Sequence, residues 1–179
     1  MLALRAALVR KNGLPWLKKA IFSTLKHPKL FDAGLRVGAA MQGLAFKSEK
    51  GGKAISPRAP FAKVGAPIGF DGDRQMPAIS ITTLRDRVPE IVRAPGSTVK
   101  VAFFTGDSLN YFYPDAGKDL IDVLTANHIE VHIPKEQNCC GVPVLVHGDI
   151  DTVRKLAKNN IDTFEATGCE YLITGCGSC

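Results

Sequence analysis

No stretch of the 179-residue chain runs to the roughly 18 uninterrupted apolar residues that a membrane-spanning helix needs. Met1 to Leu8 is apolar but carries Arg5, and no small-residue cleavage site follows a long apolar core, so no signal peptide is expected. Internal repeats, a glycine-rich phosphate loop and DNA-reading motifs are all missing. Cysteine is scarce, with five residues, of which four fall as one adjacent and one i,i+3 pair and Cys169 stands apart. An odd number so clustered does not suit a disulfide framework and favours reduced thiols in a cytoplasmic chain. Acidic residues are few in the front half. Residues 1–100 hold 18 Lys/Arg against 6 Asp/Glu, whereas 101–179 hold 5 against 11, within a net charge of +6. A basic front half suits nucleic acid, anionic lipid or an acidic protein partner. The acidic rear half argues against nucleic acid.

The 45% hydrophobic content is enough for a real core. Residues 1–47 read as a basic helical region. Pro15 opens a helix in which Leu17, Ala20, Ile21 and Leu25 recur among lysines, and Pro28 opens another with Leu30, Phe31, Leu35, Val37, Met41 and Leu44 as its apolar stripe. Such helices are expected to pack on a neighbouring domain, with a membrane surface as the alternative. Over 48–98, Gly51-Gly52, Pro57, Pro60, Pro67, Gly69, Gly72, Pro77, Pro89 and Pro95-Gly96 interrupt any periodicity. This stretch is expected to be a linker or a wrapping arm with solvated Lys/Arg. Within it, Ala78 to Thr83 suits a brief edge strand, and Leu84 to Val92 one or two helical turns.

Residues 99–179 predict an α/β domain with a small parallel sheet and crossover helices. Lys100–Thr105, Ile129–Pro134 and Tyr171–Thr174 read as strands. Helices over Asp115–Asn127 and from Asp149 or Asp151 through Phe164 separate them. Parallel strands put the loops after their carboxyl ends on one edge. Those loops carry Asp107, Cys139-Cys140 and Cys176-Gly177-Ser178-Cys179. Thiolates are the ligands that iron–sulfur clusters and zinc prefer, so Cys139, Cys140, Cys176 and Cys179 are candidate metal or cluster ligands, with zinc the rival to iron. Either motif alone would suit buried small residues or a redox dithiol. Cys169 is expected to be a packed cysteine, and Tyr111 and Tyr113 to pack around the site. Thr105 and Asn110 are expected to hydrogen-bond near it, and His147 is the one histidine close to the cysteine loop.

Cys139-Cys140-Gly141-Val142-Pro143 and Thr174-Gly175-Cys176-Gly177-Ser178-Cys179 carry a family resemblance, supported by Asn110-Tyr111, Tyr113-Pro114, Pro134-Lys135 and Gly148-Asp149. From Val99 to Cys179 the chain resembles the cysteine-rich CCG domain of iron–sulfur oxidoreductases. These include the iron–sulfur subunits of anaerobic glycerol-3-phosphate dehydrogenase, glycolate oxidase and lactate utilisation, and the catalytic subunit of heterodisulfide reductase. The resemblance implies an iron–sulfur cluster, [4Fe–4S] in type, held by Cys139, Cys140, Cys176 and Cys179. The family usually has cysteine where this chain has Asp107, which makes Asp107 a candidate cofactor-binding residue. It also implies an electron-transfer module of a multi-subunit flavin dehydrogenase acting on a 2-hydroxy acid or glycerol 3-phosphate. The expected partners are a flavoprotein subunit and other iron–sulfur subunits, with electrons passing toward quinone or another carrier. The expected place is the cytoplasm, with peripheral association at the inner face of the membrane as a further expectation. A disulfide or heterodisulfide reductase, and a zinc-bound or metal-free docking module, are the alternatives. The chain resembles the middle third of such a subunit.

Overall fold

The computed structural model describes residues 1–48, 54–58 and 75–179. Gly51-Gly52, Pro60, Pro67, Gly69 and Gly72 lie outside the described residues. Three helices open the chain: α1 (Leu2–Asn12), α2 (Trp16–Leu25) and α3 (Pro28–Ala45). Pro28 stands in the first turn of α3, where its missing N–H costs nothing. Three short antiparallel strands follow, β1 (Phe46–Ser48), β2 (Ala54–Pro57) and β3 (Met76–Pro77). Then come one helical turn, α4 (Leu84–Arg87), and the two-residue strand β4 (Ile91–Val92).

The rear half alternates β5 (Val99–Phe104), α5 (Pro114–Ala126), β6 (Ile129–His132), the short α6 (Val142–Leu145), α7 (Ile150–Glu165) and β7 (Tyr171–Thr174). The sheet order is β4-β6-β5-β7. β6 and β7 both run parallel to β5, and β4 is antiparallel to β6. Successive β5 residues point to opposite faces. Val101 and Phe103 join Ile121 of α5 and Leu84 of α4 in one core cluster; Ala102 and Phe104 meet Phe164 of α7 in another. Helices thus cover both faces, and the chain steps from β5 to one side and then to the other. That reversal opens a crevice between the carboxyl ends of β5 and β7, where open α/β sheets bind ligands.

Part of the stretch expected to be a linker is built into this sheet. Leu84 is fully buried, Val88 lies beside it, and Ile91 and Val92 pair with His132 and Val131. Thr83 and Asp86 cap the α4 turn reciprocally, which lets so short a helix stand. Ala78 to Thr83 forms no strand. The side chain of Gln42 instead takes both backbone groups of Ile79, and Ser80 N–H donates to the carbonyl of Tyr111.

The basic helices pack on their own cysteine-rich neighbour. Phe22 and Leu25 of α2 share a core with Cys139, Val144 and Leu156, and Arg5 of α1 donates to the carbonyl of Val146 at 2.6 Å. Phe31 of α3 meets Tyr111 edge-on, and Arg36 forks onto Asp86 at 2.8 Å. The inward face of α3 holds Phe31, Leu35, Ala39 and Gln42, while Leu30, Val37, Met41 and Leu44 of the expected stripe point outward and are exposed. Among the described residues no helix is long and apolar enough to cross a membrane.

Candidate functional site

The three expected loops meet at the carboxyl edge of the sheet. After β5 the chain turns at Gly106, whose φ of 56° lies in the left-handed region. A Cβ there would stand 3.1 Å from the Sγ of Cys179, so glycine serves both the turn and the close approach of the thiol. Asp107 follows, and then a π-helical turn, Ser108–Phe112, closed by Tyr113 N–H donating to the carbonyl of Ser108 at 2.9 Å. Such turns are rare and concentrate at functional sites. Its residues Leu109, Asn110 and Tyr111 are buried.

The thiols form a row. Cys139 interacts with Asp107 on one side and Cys140 on the other, Cys140 with Cys179, and Cys179 with Cys176, which reaches Ser108. Cys139 is buried, Cys140 and Cys176 half-buried, and Cys179 exposed. Gly141 N–H donates to the Sγ of Cys139 at 3.5 Å, and the backbones of Val142 and Ser178 bond Cys140 and Cys176. The hydrogen bond from Cys139 stabilises the Cys140 thiolate, with Val142 and Cys179 adding to it. Its pKa falls to about 6 despite burial. The same bond, with burial and the nearby Asp107 carboxylate, pushes Cys139 up. Burial and the neighbouring thiols push Cys179 up as well. For Asp107, burial raises the pKa, and the bond to Cys139 and the charge of Arg85 pull it back only in part.

Two buried side chains and one half-buried arginine hold the loop that bears Cys139. Gln137 accepts from Thr105 N–H at 2.9 Å and from its hydroxyl at 3.0 Å, and donates to the carbonyl of Pro134 at 2.8 Å. Asn160 of α7 accepts from Asn138 N–H at 2.7 Å and donates to the carbonyl of Cys139 at 3.3 Å. Arg85 supplies its guanidinium to the carbonyls of Lys135 and Gln137 at 2.9 and 3.0 Å. This corrects the expectation that the cations of 48–98 are simply solvated. Only Asn160 carried a signal in the sequence, as an amide between Leu156 and Phe164 on the inner face of a helix. Nothing local marks Gln137 or Arg85: Gln137 reaches Thr105 across 32 residues, and the partners of Arg85 lie 25 to 52 residues away.

The other singled-out residues fall near the site but not in it. Thr105 and Asn110 are buried beside the β5 loop. Tyr111 is buried, and burial pushes its hydroxyl up to about 12; Tyr113 is half exposed. His147 packs its ring on Phe22 and bonds the carbonyl of Pro143. Cys169 packs against the Phe104–Phe164 cluster and shares the wall of a cavity of about 430 Å³ with Cys140 and Cys179.

Among the described residues no three His, Cys, Asp or Glu side chains are arranged to hold one metal ion. A tetrahedral zinc site with bonds of about 2.3 Å needs its sulfurs around a single point. A row of four thiols spread over two loops has the donor chemistry that would fit a larger iron–sulfur centre, whose sulfides also accept backbone N–H groups. Asn110 Nδ2 in the π-helical turn is buried with no partner.

Residues 101–179 match the family described as "Cysteine-rich domain", CCG. The chain is 34% identical over 96 residues to an uncharacterized iron–sulfur protein of Methanocaldococcus jannaschii, covering 54% of this chain and 20% of that one. It is 40% identical over 106 residues to a subunit of the anaerobic glycerol-3-phosphate dehydrogenase of Escherichia coli, covering 58% and 26%. With the lactate utilization protein A 1 of Bacillus mycoides it shares 36% over 81 residues, covering 45% and 32%. The chain therefore spans between a fifth and a third of the length of these relatives. No solved structure matches it. Residues 101–179 are thus similar to the cysteine-rich CCG domain.

Proposed function

We propose that this chain is an iron–sulfur electron-transfer module of an oxidoreductase, with Cys139, Cys140, Cys176 and Cys179 as the cluster ligands and Asp107 beside them. The observation that carries the reading is the row of four interacting thiols at the switch point of the sheet, with backbone N–H groups directed at their sulfurs. When bound, the cluster would supply one-electron chemistry. The chain's own part is to present thiolates, of which Cys140 is ionised at neutral pH, to exclude water on the buried Cys139 side, and to hold the loops still. Relatives named as an iron–sulfur protein and as a dehydrogenase subunit support the same reading. A [4Fe–4S] centre in a complex with a flavoprotein subunit, fed by a 2-hydroxy acid or glycerol 3-phosphate, is its finer form. The exposed outer stripe of α3 and the basic helices are the surface offered to that partner.

Anaerobic reconstitution followed by iron, acid-labile sulfide and zinc analysis tests the proposal. Iron and sulfide are expected, together with a charge-transfer spectrum that the Cys140→Ser and Cys176→Ser variants weaken or lose. One zinc per chain without labile sulfide would sink it. Asp107→Ala should still assemble the centre, because the thiolates provide most of the binding. Asp107→Cys should change its electron paramagnetic resonance spectrum and its potential, since ligand identity and charge set both. Identical spectra for the wild type and Asp107→Cys would remove Asp107 from the site.

A further inference from the structure

We propose that Arg85, outside the stretch that matches the cysteine-rich family, is a positioning residue that clamps the loop after β5 to the loop after β6, and that its charge raises the reduction potential of the centre bound there. The second half rests on the iron–sulfur reading; the first stands on the chain alone.

The clamp is visible in four hydrogen bonds. The backbone N–H of Arg85 donates to Asn110 Oδ1 at 3.1 Å, and its side chain makes the other three, Nη1 to the carbonyls of Lys135 and Gln137 at 2.9 and 3.0 Å and Nη2 to the Tyr111 hydroxyl at 3.2 Å. Asn110 and Tyr111 lie in the π-helical turn that follows Asp107, and Gln137 stands two residues before Cys139. One side chain thus fixes the spacing of the two loops whose ends meet in the contact of Asp107 with Cys139. The planar guanidinium fork can span three oxygens at once; a lysine ammonium on a single stem cannot reproduce that geometry. Leu84 makes the placement rigid. It is fully buried in the core beside Gly117, and the reciprocal cap of Thr83 and Asp86 holds the turn from which Arg85 projects.

The charge acts on the same corner. Its guanidinium sits on the carbonyl of Gln137, two residues before Cys139, and on the hydroxyl of Tyr111, four residues after Asp107, so its charge lies beside both loops. Arg85 is half-buried, where a charge is screened less than on an open surface. A fixed cation stabilises the more negative, reduced state of a nearby redox centre and so raises its potential.

Two variants of the full chain, Arg85→Lys and Arg85→Gln, separate the two roles. In the metal-free protein, amide exchange over residues 106–112 and 135–141 should be about tenfold faster in both, because both lose the fork. In the reconstituted protein, Arg85→Gln should have a lower potential than the wild type, while Arg85→Lys should stay close to it. Unchanged exchange in Arg85→Gln would overturn the clamp. Equal potentials for the two variants would overturn the electrostatic half. Should Arg85→Gln fail to fold, Arg85→Lys decides the clamp through exchange, and its potential, near or far from that of the wild type, decides the charge. A wild-type chain that takes up no cluster sinks the iron–sulfur reading and the electrostatic half with it, and the exchange data still decide the clamp.

Discussion

Cys140 shows how neighbours divide one chemistry between two residues. Adjacent in sequence, Cys139 and Cys140 differ in acidity because one donates to the other: Cys140 drops to about 6 and Cys139 rises. The reactive species is the thiolate. In the metal-free protein, alkylation of Cys140 should therefore climb as pH passes through about 6 and level off above it, whereas an ordinary thiol would still be gaining rate near 9. Mass-spectrometric mapping of iodoacetamide labelling against pH checks this. A single midpoint near 9 at Cys140 would remove the division of labour. Asp107 stands at the far end of the row and shares the hydrogen bonding of Cys139. Its replacement by cysteine would add a fifth thiol to the sheet edge without moving the backbone.

At the scale of elements, α4 is the piece whose importance exceeds its length. One turn, Leu84–Arg87, supplies a core side chain to the sheet and a guanidinium to the site. Removing the buried Leu84 side chain leaves a cavity against Gly117 and the β5 core, and Leu84→Ala should cost about 3 kcal/mol. Chemical denaturation of the metal-free chain measures it. A loss near zero would mean that residues 78–98 are no part of the folded unit. We therefore place the start of that unit before Leu84, ahead of the first residue of the family match. The two-residue β4 strand agrees, since it closes the side of β6 that would otherwise be a bare edge.

At the scale of the whole molecule, the basic helices α1–α3 pack onto the acidic rear half, yet leave apolar surface of their own exposed. Phe22 and Leu25 are spent on the Cys139 core, whereas Trp16, Leu30, Val37, Met41 and Leu44 are exposed, Trp16 at 80% and Leu44 at 68%. Such a surface is the one proposed above for a partner subunit. The double variant Val37→Glu and Met41→Glu should abolish co-purification with a dehydrogenase subunit while leaving the melting temperature of the isolated chain within a few degrees. Co-purification that survives the variant would move the docking surface elsewhere.

The strand–helix alternation of residues 99–179 and the placement of Cys139-Cys140 and Cys176–Cys179 at strand ends were legible in the sequence, as was a cap for α7 at Asp149 or Asp151, of which Asp149 is used, its side chain accepting from Thr152 N–H at 3.1 Å. Each of these is local: a periodicity, a turn residue or a cap is written within a few positions. Only tertiary structure decided which face of α3 turns inward, because Phe31-Leu35-Ala39 and Leu30-Val37-Met41 are both apolar rows on one helix. It also decided that residues 84–92 join the sheet, since a short Pro-flanked segment has no period to read and gains its order from burial of Leu84 and pairing with β6. The supports of the site, Arg85, Gln137 and Asn160, were decided there as well. Apart from the bond of Gln137 to Pro134, their hydrogen bonds close across 21 to 52 residues of chain, and long-range polar contacts leave no mark on local sequence.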